Sequence, residues 1–131
     1  KMLINKMDKN FTVGQSNELI SNNQLFDIHN EFNVGEFSFD GANAEIEFIS
    51  LDGALTIHLR FEGIAFISFA KSTRAGSYWG VEEFGYKSPD DFDDNWLLSE
   101  SQSTPEDHLF IRLVGDDYIR VFSSTAELRV L

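Results

Sequence analysis

No cysteine occurs among the 131 residues. That absence excludes a disulfide scaffold, a thiolate zinc site and a cysteine nucleophile together. Prolines number two, and no apolar run approaches the ~18 residues of a membrane-spanning helix. Residues 1–6, Lys-Met-Leu-Ile-Asn-Lys, lack the long apolar core of a secretory signal, so the expected compartment is the cytoplasm. Positive charge is scarce as well. Ten Lys and Arg stand against twenty-two Asp and Glu, a net charge of −12. So acidic a surface repels phosphate backbones and anionic lipid, so neither nucleic acid nor a membrane is an expected partner. A basic protein would instead be steered in by long-range attraction.

What remains is an ordinary globular composition, 42% hydrophobic and 24% charged. It suits one domain over residues 1–131 with a single core. The acids are not spread evenly. Residues 80–117 hold eleven acids and two bases and so carry −9 of the −12. Uniform solubilising charge would not concentrate in this way.

The hydrophobic pattern is that of strands. Ala44 to Ile49 alternates, with Ile46 and Phe48 on one face and Glu45 and Glu47 on the other. Asp52-Gly53 follows, and Leu55, Ile57, Leu59 and Phe61 continue the alternation beyond it. Asp-Gly between two such runs predicts a tight hairpin. Gly63 marks a turn or bulge, and Ile64 to Phe69, apolar on both faces, predicts a central strand covered on both sides. Strands are also expected at Tyr78 to Tyr86, briefly at Leu97-Leu98, at His108 to Val114, at Tyr118 to Phe122 and at Ala126 to Leu131. A second hairpin falls at Gly115-Asp116-Asp117. In the Asn-rich residues 1–35, Ser16 could cap a short helix through Ser21, and Leu25 to His29 reads as a second short helix or an edge strand. The expected fold is therefore mainly β, with α+β as an alternative. It is a single antiparallel sheet or sandwich-like domain, with residues 1–35 irregular or briefly helical and 36–131 a β meander.

Motifs for chemistry fail on inspection. Counted from Asp91, residues 91, 93 and 95 are Asp, Asp and Asn, as a calcium loop requires. Its turn position is Trp96 instead of Gly, and its last ligand position is Gln102 instead of Glu. The three histidines, His29, His58 and His108, are too scattered for a zinc site and read as solvated or hydrogen-bonded. Gly76-Ser77-Tyr78-Trp79-Gly80 is out of register for a nucleophile elbow. Acids clustered in polar loops are expected to keep ordinary acidities, unlike a hydrolase pair. No catalytic residue, cofactor or metal is expected, and the protein is read as a non-enzyme.

Aromatic residues interleave with the acids instead. Large amphipathic rings beside charges are favoured interface anchors. The expected partner-binding residues are Glu82, Glu83, Asp90, Asp91, Asp93 and Asp94, with Trp79, Tyr86 and Trp96 as the desolvated centre. The equally available alternative is that these three rings are lids on the core.

The run Phe37-Ser38-Phe39-Asp40-Gly41-Ala42, followed by the strands from Ala44 and Leu55, resembles small β-rich bacterial immunity proteins of contact-dependent or polymorphic toxin systems. A short Phe- or His-Asp-Ala element precedes two alternating strands in several of those families; here Gly41 interrupts the Asp-Ala pair. The resemblance implies a cognate inhibitor of a toxin with no catalytic residues. The acidic composition suits a basic nuclease as the toxin, met by a chain that is a monomer when free and a heterodimer when bound. The alternatives are a small-ligand-binding β-barrel and a carboxylate-dependent hydrolase.

Overall fold

The computed structural model describes residues 6–70, 79–93 and 96–131, and of Trp79 only the backbone. The alternating runs form the strands they predict. Strand β6, Ala44–Ser50, turns Ala44, Ile46 and Phe48 inward and keeps Glu45 and Glu47 half-exposed. Its partner β7, Thr56–Ala70, pairs antiparallel with Phe48 opposite Ile57 and Ile46 opposite Leu59. Gly53 takes φ +74 between them, a conformation that glycine adopts without steric cost. At the second hairpin Gly115 and Asp116 take φ +86 and +68, a primed turn matched to strand twist. It joins β9, His108–Leu113, to β10, Tyr118–Val130.

Two further strands complete a ring. Strand β5, Phe32–Phe39, lies antiparallel to β6, and β8, Trp79–Lys87, lies antiparallel to β9. Val34 and Asn33 of β5 meet Trp79 and Gly80 of β8, while β10 pairs with both β9 and β7. The order β10-β7-β6-β5-β8-β9 therefore closes on itself into a six-stranded antiparallel barrel. Closure removes the unpaired edges that an open sheet would expose. Inward-facing Val34, Phe48, Leu59, Phe61, Phe84 and Ile111 are all buried and belong to one core cluster. So narrow a barrel is filled by its own side chains.

The N-terminal residues are more ordered than their composition suggests. Strand β1, Asp8–Lys9, runs parallel to β10. Strands β2, Thr12–Val13, β3, Glu18–Ser21, and β4, Gln24–Asp27, form a separate three-stranded sheet. The helix expected after Ser16 is instead β3. Asn22 and Asn23 both take positive φ, +51 and +62, and fold β3 back onto β4. Asparagine tolerates that left-handed backbone. Residues 25–29 divide between β4 and a one-turn helix, α1, Ile28–Glu31, capped by the Asp27 carboxylate accepting from the Asn30 amide. Leu97-Leu98 contributes only a single bridge, Leu98 with Tyr86.

Residues 64–69 correct a second expectation. They are the far half of β7, in which Ala65 and Phe69 are exposed and the other four only half-buried, so this is no doubly covered central strand. The stretches at 118–122 and 126–131 are parts of one strand, β10, with a bulge after Phe122. Gly63 sits opposite that irregularity with φ +69, and a Cβ there would approach the Ser124 side-chain oxygen to 2.6 Å. Replacement by alanine combines left-handed strain with that clash, so Gly63→Ala is expected to lose about 1–3 kcal/mol in urea unfolding. Among the described residues no helix is long and apolar enough to cross a membrane.

Candidate functional site

Alternation also fixes what lies outside the barrel. With Phe84, Leu109, Ile111, Ile119 and Val121 turned inward, the opposite face of β8, β9, β10 and β7 carries a lattice of charged and aromatic groups. Cross-strand neighbours there are Lys87 with His108, Glu83 with Arg112, Arg112 with Tyr118, and Arg120 with both Phe110 and Ser68. The Phe110 and Tyr118 rings stack at 5.5 Å with an interplanar angle of 6°. Arg112 pairs with Glu83, and its guanidinium lies 5.5 Å from the Phe110 ring.

After β8 the chain folds back over this lattice. Two cations hold it there. Lys87 Nζ donates to the Asp93 carbonyl at 2.6 Å and lies 3.5 Å from the Asp91 carboxylate. Arg120 donates to the carbonyls of Asp91 at 2.6 Å, Ser88 at 2.9 Å and Pro89 at 3.3 Å. Its Nε donates to His108 Nδ1 at 2.9 Å. Lys87 and Arg120 are each only 2% exposed. Burying a charge is costly unless it is paired and hydrogen-bonded, and these carbonyls and carboxylates meet that need. The Arg120 guanidinium also lies 4.5 Å from the Phe92 ring, on the side of the loop facing the sheet.

The loop presents two large rings to solvent. Phe92 is 72% exposed and Trp96 87% exposed, and both line a cleft of about 760 Å³ with Glu82, Asp93, Phe110 and Tyr118. Glu82, Asp90, Asp93 and Asp116 are exposed around it. Although Lys87, Arg112 and Arg120 also line the cleft, each is engaged by the chain's own oxygens. Among the described residues, the solvent-facing charge of the rim is therefore acidic.

The local fields follow from these contacts. The Asp93 amide holds the Asp91 carboxyl below its ordinary value, with Lys87 adding to the effect. Burial, then the Arg120 charge, depress His108 to about 4, against a smaller opposing pull from Asp107. His108 is sandwiched between Phe66, at 4.7 Å, and Phe122, at 5.5 Å. It is neutral near pH 7 and serves as an acceptor, the hydrogen-bonded one of the two states expected from sequence.

Among the expected partner-binding residues, Glu82, Glu83, Asp93 and Trp96 come together at the cleft, and Asp90 and Asp91 lie in the loop beside it. Glu83 and Asp91 are already committed to Arg112 and Lys87. Asp94 and the Trp79 side chain lie outside the described residues. Tyr86 does not join the group. It is 2% exposed, and its hydroxyl accepts from Lys9 Nζ and donates to Glu100 at 2.6 Å. Strand alternation is the reason: Tyr86 points oppositely to Lys87, toward the core and the N-terminal strands. The ring is a core residue with a satisfied polar tip and is unavailable as a docking anchor.

Sequence reasoning missed Phe92, Lys87, His108, Arg112 and Arg120 as parts of this face. The available signal was parity. Lys87, His108 and Arg120 fall on the non-core positions of β8, β9 and β10, and the Gly115 hairpin sets the register of the last two. Among the described residues no group of three or more His, Asp or Glu is arranged to hold a metal ion. No family model matches the chain, and neither a curated protein nor a solved structure matches it.

Proposed function

We propose that the chain is an immunity protein that binds a basic toxin, of the nuclease class, and occludes its active site. The observation that carries this reading is the pair of rings at Phe92 and Trp96, 72% and 87% exposed within an acidic rim. Aromatic anchors surrounded by polar groups are what a protein interface uses as its energetic centre, and acids at the rim accelerate encounter with a cationic partner. The loop is fastened to a closed barrel, so little ordering is required when a partner arrives. The filled interior speaks against a small-molecule cup. The engagement of Glu83 and Asp91 by cations speaks against a pair of carboxylates tuned for hydrolysis.

The test is coexpression with the toxin encoded beside the chain's own gene. Growth is expected to be rescued, and the two proteins are expected to coelute as a heterodimer. Trp96→Ala is expected to speed dissociation roughly thirtyfold, corresponding to about 2 kcal/mol for a desolvated anchor. Neutralising Glu82, Asp93 and Asp116 together is expected to slow association and flatten its salt dependence. Absence of both rescue and complex at micromolar concentration overturns the reading.

A further inference from the structure

Arg120 makes two kinds of contact with one guanidinium. It reaches His108 through Nε and the carbonyls of Ser88, Pro89 and Asp91 through its terminal nitrogens. The first contact needs an unprotonated Nδ1, because arginine can only donate. We propose that the His108–Arg120 contact is an acid-sensitive latch, which fastens residues 88–93 to the outer face of β9 and β10 and releases them when His108 takes up a proton.

The geometry dictates the sequence of events. A proton on Nδ1 turns an acceptor into a donor facing Arg120 Nε–H, and places two cations 2.9 Å apart. Arginine keeps its proton, so the contact breaks. The flanking groups offer the new charge little relief. Phe66 of β7 and Phe122 of β10 are uncharged rings, and Lys87 of β8, the cross-strand neighbour, is another cation. Asp107 exerts a small opposing pull, and its carboxylate is held by the Thr104 amide and hydroxyl at 2.8 and 2.9 Å. Asp91 sits over Lys87 and Arg120 on the loop itself. As Arg120 withdraws, three carbonyl contacts and the stacking on Phe92 go with it.

The sign follows from the two values of His108. In the latched form it lies at about 4, against 6.5 for a solvated ring. The latched form is therefore fully favoured above 6.5 and weakens as pH falls from there toward 4. Between pH 7 and pH 5 the open form gains about twentyfold relative to the latched one. Through the proposed function, on which only this consequence rests, acid would loosen the loop that carries Phe92 and leads to Trp96.

Amide hydrogen exchange of the protein alone tests the latch, so its failure is distinct from failure of toxin binding. The reporters are the Asp91 amide, bonded to the Ser88 carbonyl at 3.0 Å, and the Asp93 amide, bonded to the Asp91 carboxylate at 2.9 Å. After correction for intrinsic rates, their protection is expected to fall about twentyfold from pH 7 to pH 5, while Ile46 and Phe48 in β6 stay protected. His108→Gln supplies a carbonyl acceptor that does not titrate, and is expected to abolish the fall. Unchanged protection in the wild-type protein, or an equal fall in His108→Gln, overturns the proposal. Should that variant fail to fold, an NMR titration of the wild-type histidine decides. A ring titrating near 6.5 without change in the Asp91 and Asp93 amides overturns the latch; ring and amides titrating together support it.

Discussion

Phe48→Ala is expected to lower stability by about 3–5 kcal/mol, the range for emptying a buried aromatic site. Phe48 is fully buried at the middle of β6, with the Phe84 ring 6.2 Å away across the barrel and Ile57 as its neighbour on β7. A closed barrel relaxes poorly around such a hole, since every wall strand is hydrogen-bonded on both sides. Collapse would have to break ladder bonds, so the cavity persists and the full penalty is felt. For a domain of this length the melting temperature should drop on the order of 10–20 °C. Leu51→Ala is the control, because Leu51 is 63% exposed in the β6–β7 turn, and surface changes of this kind stay within about 0.5 kcal/mol. Chemical denaturation of the two variants checks the contrast. Equal losses would mean that the interior of the barrel is not the chief source of stability.

The parts legible in the sequence are those governed by neighbours. The hairpins at Asp52-Gly53 and Gly115-Asp116 needed only turn residues between alternating runs, and both are present, the second as a primed turn and the first as the loop 51–55 with Gly53 left-handed. The β3–β4 hairpin has the same logic in Asn22-Asn23. Ser16, as a candidate cap, points to a helix through Ser21 instead, although that run is short and polar. Closure is a different matter. The β5–β8 seam rests on two residue pairs, Asn33 with Gly80 and Val34 with Trp79, too little pattern for any local reading to detect. The same limit applies to the site. The position of the acids was visible, but whether an acid is solvated or holds a cation depends on a partner strand. Glu83 meets Arg112 from β9, and the loop meets Arg120 from β10. Tyr86 was misplaced for the same reason, since its hydroxyl partners come from β1 and from residue 100.

That last cluster sets the other large effect, because one carboxylate ties together three distant parts of the chain. Glu100 begins the 3-10 turn Glu100–Gln102. Its carboxylate accepts from Lys9 Nζ at 2.9 Å, the Val13 amide at 3.1 Å and the Tyr86 hydroxyl at 2.6 Å. Burial pushes its pKa upward, but the bonds from Tyr86 and Lys9, with the Lys9 charge, outweigh it and hold the carboxyl below its ordinary value. Tyr86 is raised above the usual tyrosine range, first by burial and then by Glu100, so the hydroxyl remains a donor. Glu100→Ala removes the acceptor and leaves a mostly buried ammonium, an amide and a phenol to find others. Truncating one member of such a pair is expected to cost about 2–4 kcal/mol. The loss should be local before it is global. Amides of Lys9 and Val13 should lose protection first, since β1 and β2 are two-residue strands anchored through this carboxylate. The folded-state shift is downward, so the Glu100 contribution is complete above the ordinary carboxylate range and disappears as pH falls through its lowered value. Wild-type protein should therefore lose protection at Lys9 and Val13 as pH falls below the ordinary carboxylate range, whereas Glu100→Gln should lack that step. A Glu100→Ala protein with wild-type unfolding midpoint and unchanged exchange at Lys9 and Val13 would show that the N-terminal strands are held by apolar burial of Phe11 and Val13 alone.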